Sequence, residues 1–239
     1  MKVDILAIGV HPDDIELSCS GTLLRHMDVG KKVALLDLTQ GELGTRGSAA
    51  IRKEEAMKAA EIMGIKHRTI LDIPDGFFVN DTENKLKIIQ WIRYYRPEIV
   101  LANAIDDRHP DHGRAAQLTY DACFLAGLLK VETKDEDGNL QDRWRPQAIY
   151  NYTQDRLLQP DLIVDITGFM DRKMESILAY RSQFYDPESS EADSPISGKD
   201  FLDYIKARAQ SYGRQIGVEY GEGFTAPRVI GTKNLFNLI

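Results

Sequence analysis

The sequence has little cysteine and lacks a long apolar segment. Cys19 and Cys123 are its only cysteines among 239 residues. Two are too few for a disulfide framework, and neither has a neighbour at metal-ligand spacing, so we interpret both as buried thiols. The N-terminal apolar run, in MKVDILAIGV, is too short for a signal peptide or a membrane span. We therefore expect a cytoplasmic protein that does not cross a membrane.

Positive charge is also scarce. The 30 lysines and arginines are outnumbered by 37 aspartates and glutamates, which gives a formal net charge of −7. Such a chain has no general attraction to nucleic acid or anionic lipid, so local arginines would have to hold any anionic substrate. With 43% hydrophobic residues and no internal repeat, the chain is expected to form a single domain over residues 1–239 that binds a small molecule.

Strand and helix patterns alternate through the first half of the chain. The predicted strands are Val3–Val10, Lys32–Thr39, Arg68–Ile73 and Glu98–Ala104. The predicted helices are Asp13–Val29, Ser48–Met63, Thr82–Tyr95 and Pro110–Leu129. This alternation of strands and helices implies parallel strands joined by right-handed crossovers. We predict an α/β fold with a Rossmann-like, doubly wound, mostly parallel sheet flanked by helices.

The second half of the chain is less regular. Strand patterns recur at Ala148–Thr153 and Leu162–Ile166, and helices are predicted around Thr167–Tyr185 and Asp200–Tyr212. The Gly-rich tail, Val218–Ile239, could add a strand or an interface, and its apolar end, Asn234–Ile239, is a candidate interface.

Three of the five histidines lie in two short segments that follow the first and fourth predicted strands. In doubly wound sheets these strands commonly flank the switch point where ligands bind. His11 and Asp14 can face one point from a strand-to-helix turn, and His112 can reach it from the neighbouring strand. Two imidazoles, one carboxylate and an open position are typical of catalytic zinc, although Fe²⁺ suits the same ligands. N-capping aspartates with incidental histidines would be the alternative, but capping does not explain His11, His109 and His112 together.

These segments also resemble a known family. HPDDIE at His11–Glu16 and RHPDH at Arg108–His112 resemble the two hallmark motifs of the LmbE-like, or PIG-L, zinc-dependent N-acetylglucosamine deacetylases. The segments GELGTRG (Gly41–Gly47), RKEEA (Arg52–Ala56) and YRSQF (Tyr180–Phe184) resemble its bacillithiol-biosynthesis branch. The resemblance implies hydrolysis of N-acetylglucosaminyl-malate, an acetylated amino sugar, to glucosaminyl-malate and acetate. It also implies a homo-oligomer, for which a hexamer is one option.

The family pattern suggests roles for the polar residues beside the ligands. Asp13 is expected to act as a general base on water and then carry the proton to the leaving amine. His109 could stabilise the tetrahedral oxyanion as an imidazolium, or could instead have a structural role behind the ligands. Asp111 is the expected orienting partner of His109, which would keep that ring charged.

Three arginines are candidate substrate contacts. Arg52 lies on the inward stripe of its helix and requires a carboxylate, either from the substrate or from Glu55. Arg108 is a substrate contact by the family resemblance, and Arg46 could reach a malate carboxylate from the Gly-rich loop. That loop lacks the G-x-G-x-x-G pattern, so a nucleotide is not expected.

Some relatives are thought to use a mobile tyrosine from the C-terminal region, where this chain has Phe201 and then Tyr204. Either Tyr204 supplies the hydroxyl or none is used.

Other activities remain open, including deacetylation of another N-acetylglucosamine or thiol conjugate. A two-metal phosphoesterase would need Asp106 and Asp107 as extra ligands. A non-catalytic sugar-binding protein should have lost Asp13 or a ligand, and none is lost.

Overall fold

The computed structural model describes residues 1–238. Within them, seven strands form one sheet and six α-helices pack around it. The strands are β1 (Ile5–Gly9), β2 (Val33–Asp37), β3 (Arg68–Ile70), β4 (Ile99–Ala102), β5 (Ala148–Tyr152), β6 (Leu162–Asp165) and β7 (Gly221–Thr225). The helices are α1 (Asp14–Asp28), α2 (Ala49–Met63), α3 (Thr82–Tyr95), α4 (Pro110–Ala126), α5 (Met170–Leu178) and α6 (Lys199–Gln215).

The strand order confirms the predicted doubly wound, mostly parallel sheet. The order is β3-β2-β1-β4-β5-β7-β6. β7 runs antiparallel to both of its neighbours, β5 and β6, and the other neighbouring pairs are parallel. The chain winds outward from β1 to β3 and then returns to place β4 on the other side of β1. The carboxyl ends of β1 and β4 therefore flank the switch point, where the order reverses. The Gly-rich tail contributes β7, which lies between β5 and β6.

The sheet is covered on both faces because its central strands are apolar on both sides. All residues of β1 and β2 are buried. Leu6 and Ile8 belong to a core with α3 and α4, while Ala7 belongs to a core with α1. A third apolar cluster joins α2, α5 and α6 through residues such as Ile177 and Ile205. This third cluster packs α6 against α2 and α5.

Local signals marked several helix ends correctly. Ser48 accepts a hydrogen bond from the N–H of Ile51 at the start of α2, and Gly64 ends that helix at φ 77°. The bounds of α3 agree with the prediction. The helix predicted around Thr167–Tyr185 is instead the shorter α5, and the remainder forms turns.

No helix in residues 1–238 combines the length and hydrophobicity needed to cross a membrane.

The described part of the candidate C-terminal interface is a short 3-10 helix, Leu235–Asn237. Leu235, Phe236 and Leu238 are exposed. Ile239 lies outside the described residues. A role for this segment in oligomerisation stays a prediction.

Candidate active site

The carboxyl ends of the parallel strands open into a pocket of about 430 Å³. Its lining residues come from the segments that follow β1 to β5, from the segment between α5 and α6, and from α6. The two histidine segments enter from β1 and β4. Pro110 occupies the first turn of α4, where its missing N–H costs nothing, and His109 precedes it as the N-cap. This local geometry places His112 in the first turn of α4, facing the segment that follows β1.

The structure brings the three predicted metal ligands together. The Asp14 carboxylate lies between two imidazoles, with Oδ2 3.8 Å from Nδ1 of His11 and Oδ1 3.2 Å from Nε2 of His112. All three side chains are buried. A ring nitrogen of each histidine thus lies within 4.0 Å of the Asp14 carboxylate, and this donor set suits one transition-metal ion.

Carboxylates behind the two rings fix their orientation. Nε2 of His11 lies 2.9 Å from Oδ1 of Asp75 and 3.5 Å from Oδ2 of Asp111. Nδ1 of His112 lies 2.5 Å from Oδ2 of Asp107. Each ring thus gives one nitrogen to a carboxylate and turns the other toward Asp14, an arrangement in which outer carboxylates orient metal-binding histidines. The donor set fits a divalent metal.

Electrostatics favour a cation at this position. Burial opposes the charge on His11, but hydrogen bonds to Asp111 and Asp75 raise its pKa to about 10. Burial likewise opposes the charge on His112, and Asp14 together with Asp107 raises its pKa to about 9. The negative charge that attracts protons to these rings equally favours a divalent ion in their place.

The Asp14 carboxylate is held in place by its own hydrogen bonds. Oδ2 accepts from the N–H groups of Val10 and His11, at 3.0 and 2.9 Å, and from Asn103. Oδ1 accepts from the amide of Gln154 at 2.9 Å. Burial alone would raise the pKa of Asp14, but His112, His11 and these donors hold it well below its usual range.

Other close groups of ligand atoms surround the same point. The ligand atoms of His11, His109 and His112 lie within 4.8 Å of one another, as do those of His11, Asp75 and Asp111. The second group consists of the His11 ring and the carboxylates that orient it. Asp106 and Asp107 do not form a second metal site here, because Asp107 bonds His112 and the exposed Asp106 pairs with Arg156. The two-metal phosphoesterase alternative therefore lacks support from this geometry.

Asp13 has a strained backbone beside these ligands. Its φ of 122° is rare for a residue with a side chain, and such strain is concentrated at functional sites. Its side chain does not cap α1. It accepts a hydrogen bond from Nη2 of Arg52 at 3.0 Å. Burial raises the pKa of Asp13 to about 7, with Arg52 opposing the shift and Asp14 reinforcing it. A carboxylate with such a pKa is suited to accept and return a proton near neutral pH.

The carboxylate partner of Arg52 within the protein is therefore Asp13, and not Glu55, which was one of the two alternatives left open by the sequence. Arg52 also donates to the carbonyls of Pro12 at 2.7 Å and Gly41 at 3.3 Å. Glu55 instead accepts from the backbone N–H and hydroxyl of Ser182, at 2.7 and 2.6 Å. Arg52 lines the pocket, but its charge is already paired within the protein. A contact between Arg52 and a substrate carboxylate stays a prediction.

Arg46 and Arg108 also have partners. Arg46 is buried and donates to the carbonyls of Ala192, Phe184 and Glu191, at 2.7, 3.5 and 3.4 Å. The Arg46 guanidinium thus bonds to the 184–192 segment, and its expected contact with malate stays a prediction. Arg108 lies at the pocket, partly exposed, and pairs with Asp155. Its role in substrate binding stays a prediction.

Asp111 does not orient His109 as expected. Its carboxylate accepts from the N–H of Gly76 at 2.9 Å and pairs with Arg114, while it also faces His11. Nδ1 of His109 accepts the backbone N–H of Asp111 at 3.3 Å. Burial, together with the charges of His11 and His112, lowers the pKa of His109. Because Nδ1 accepts this hydrogen bond, a neutral His109 ring carries its proton on Nε2, and the expected imidazolium role stays a prediction.

A tyrosine hydroxyl is absent from the pocket lining formed by residues 1–238. Phe201 lines the pocket. The Tyr204 hydroxyl donates to the carbonyl of Asp155 at 2.5 Å. Sequence reasoning missed Asp75 and Gln154, because neither belongs to a recognisable motif.

Comparisons with known proteins show the family that this chain resembles. The PIG-L family model, described as GlcNAc-PI de-N-acetylase, matches residues 6–123. The diacetylchitobiose deacetylase of Thermococcus kodakarensis is 32% identical over 230 residues, which cover 92% of this chain and 81% of that protein. A probable N-acetyl-α-D-glucosaminyl L-malate deacetylase of Bacillus anthracis is 25% identical over 196 residues, which cover 75% of this chain and 81% of the relative.

A solved structure extends the similarity over nearly the whole fold. The crystal structure of a conserved protein from Thermus thermophilus has a TM-score of 0.86 and 34% sequence identity, and the match covers 98% of each chain. The full-length similarity and the motif-bearing residues agree on one assignment. The chain belongs to the PIG-L, or LmbE-like, deacetylase family.

Proposed function

We propose that this protein removes the acetyl group from an N-acetylglucosamine conjugate by metal-dependent hydrolysis. The observation that carries the proposal is the convergence of His11, Asp14 and His112, with the Asp13 carboxylate beside them. The two curated relatives described above are both named as deacetylases, one of diacetylchitobiose and one of N-acetylglucosaminyl-malate. Hydrolysis of an amide requires a polarised carbonyl, an activated water and a proton for the amine, and this pocket offers groups for each.

Zinc is the proposed metal, with His11, Asp14 and His112 as its ligands. When bound, Zn²⁺ supplies a Lewis acid that polarises the acetyl carbonyl and makes a neighbouring water more acidic. Asp75 and Asp107 keep the two rings aimed at the site, and Asn103 and Gln154 hold Asp14 in place.

Asp13 is the proposed proton carrier. In its carboxylate form it accepts a proton from the attacking water, and it then returns the proton to the nitrogen of the leaving amine. Arg52 holds the Asp13 carboxylate in position. His109 is the proposed donor to the developing oxyanion, through a neutral Nε2–H.

N-acetylglucosaminyl-malate is the proposed substrate, and diacetylchitobiose is the competing candidate. The segments at Gly41–Gly47 and Tyr180–Phe184 resemble the bacillithiol branch, which supports the first. The higher identity to the Thermococcus enzyme supports the second. The two substrates differ in charge, because only the malate conjugate carries carboxylates.

The decisive experiment pairs metal analysis with acetate release. The protein is purified anaerobically, its metal content is measured, and acetate is quantified with each substrate before and after treatment with a chelator. We expect about one zinc per chain and release of acetate that stops on chelation and returns with Zn²⁺. Absence of acetate release from both substrates by the metal-loaded protein would refute the proposal. Substrate binding without release would favour a sugar-binding protein.

A further inference from the structure

The inner end of the catalytic pocket contains a polar corner that the proposed mechanism does not use. Ser18 of α1 and Arg208 of α6 both line the pocket, and both also line a small cavity behind it. Ile205, one turn before Arg208, lies against the same two spaces. The corner thus consists of side chains from two helices that line both spaces.

Arg208 differs from the other arginines of the pocket. The residue is 7% exposed, Nη2 donates to the carbonyl of Leu17 at 2.8 Å, and Cζ lies 5.6 Å from the centroid of the Tyr204 ring. Within residues 1–238, no carboxylate oxygen lies within 4.0 Å of it, and Nε and Nη1 have no hydrogen-bond acceptor. Arg52 and Arg108, by contrast, are each paired with an aspartate. Arg208 therefore presents two unused donor nitrogens.

Ser18 supplies an independent observation. Its side chain is 4% exposed, and its hydroxyl has no hydrogen-bond partner among the described residues. Buried hydroxyl groups in folded proteins almost always have a partner. The Ser18 hydroxyl is therefore free to bond a polar group that enters the pocket.

The charge around this corner is positive. Behind Arg208, Lys173 is buried and pairs with Glu222 at 2.8 Å. Burial lowers the pKa of Lys173, Glu222 opposes the shift, and the charge of Arg208 adds to it. Glu16, the other nearby carboxylate, is bound by Arg68 at 2.6 Å. Glu222 thus pairs with Lys173 and Glu16 with Arg68, and neither carboxylate pairs with Arg208.

We propose that Arg208 and Ser18 form a subsite for a carboxylate on the aglycone of the substrate. Arg208 would donate through its unused nitrogens, and Ser18 would donate through its hydroxyl. The subsite selects amino-sugar conjugates that carry an acidic aglycone over neutral oligosaccharides. This inference rests on the proposed deacetylase function and deepens it. The same chemistry would also suit product acetate, and the experiment separates the two.

The test compares an acidic and a neutral substrate in matched variants. Arg208→Met keeps much of the aliphatic stem and removes the charge, Ser18→Ala removes the hydroxyl, and Arg214→Met serves as the control. Arg214 lies on the same helix but is exposed. For N-acetylglucosaminyl-malate, we expect Arg208→Met to lower kcat/KM about 10- to 150-fold, mainly through KM, because a hydrogen bond to a charged group is lost. For diacetylchitobiose, the change should stay within about threefold.

The remaining results either support or overturn the subsite. Ser18→Ala should weaken only the acidic substrate, and Arg208→Lys should recover part of the loss. Equal losses on both substrates would show that Arg208 only supports α1 through Leu17, and unchanged kinetics would show that no carboxylate binds there. Loss of inhibition by acetate with unchanged discrimination between the substrates would assign the corner to the product, which also overturns the proposal.

A binding measurement keeps this inference separable from the proposed function. Calorimetric titration of the metal-loaded protein with free malate should give heat for the wild type and Arg214→Met, and much weaker binding for Arg208→Met. This result does not depend on turnover. If no substrate released acetate, the deacetylase proposal would fail while malate binding still tested the subsite. Equal malate binding by wild type and Arg208→Met would overturn the subsite.

Discussion

The buried pair of Arg52 and Asp13 provides the sharpest test of the reasoning about this pocket. Both side chains are almost completely buried, and their charged atoms lie 3.0 Å apart. Arg52→Met removes the cation and keeps a side chain of similar length. At a pH high enough to keep Asp13 ionised, its carboxylate then remains in the interior without its partner, which typically destabilises a protein by about 3–5 kcal/mol. At lower pH, uptake of a proton by Asp13 limits this loss.

The double variant isolates the cause of that loss. In Asp13→Asn with Arg52→Met, no buried charge is left unpaired at this position, so much of the stability should return. The assay is urea unfolding of the four proteins of the cycle, each loaded with metal. The reasoning is refuted if Arg52→Met lies within about 1 kcal/mol of the wild type, well below the range for a broken buried pair. It is equally refuted if the double variant is as unstable as Arg52→Met.

The same substitution should change the pH dependence of the reaction. Arg52 opposes the upward shift that burial produces in the pKa of Asp13. Its removal should therefore raise that pKa above about 7. Because the base must be deprotonated to act, the rate at pH 7 should fall and the acid limb of kcat/KM should move to higher pH. If the acid limb of kcat/KM stays in place or moves to lower pH, it reports the pKa of a group other than Asp13.

Three further predictions concern proton transfer, ring orientation and the loop beside the pocket. Asp13→Asn should keep its metal content, and its kcat should fall about 10²- to 10⁴-fold. Retention of full activity would show that another group is the base. Asp107→Asn should weaken metal affinity about 10- to 100-fold, because it removes the carboxylate behind His112. The control Asp106→Asn, at an exposed position, should leave metal affinity unchanged. Equal effects of the two substitutions would contradict the role of Asp107 in orienting His112. Arg46→Met should expose the 184–192 segment to limited proteolysis, because three carbonyl contacts are lost, and an unchanged cleavage pattern would show that the segment is held elsewhere.

Local patterns in the sequence determined a large part of the fold. Alternating apolar runs and helical periodicity predicted the first four strands and four helices, because burial on both faces of a parallel strand leaves a continuous apolar run. Caps such as Ser48 and Gly64 marked helix ends, because they satisfy backbone groups within a few residues. The order of the elements then placed the segments after β1 and β4 at one edge of the sheet, and this predicted the meeting of His11, Asp14 and His112.

Only the tertiary structure decided which groups each charged side chain meets. Arg46 bonds a carbonyl 146 residues away, and Arg52 bonds a carboxylate 39 residues away. Such partners depend on how loops and helices pack, and no local periodicity encodes them. The carboxylate of Asp75 behind His11, the antiparallel insertion of β7 and the corner formed by Ser18 and Arg208 have the same origin. Residue type and strand order located the chemistry, while packing determined which charges are already paired and which remain for a ligand.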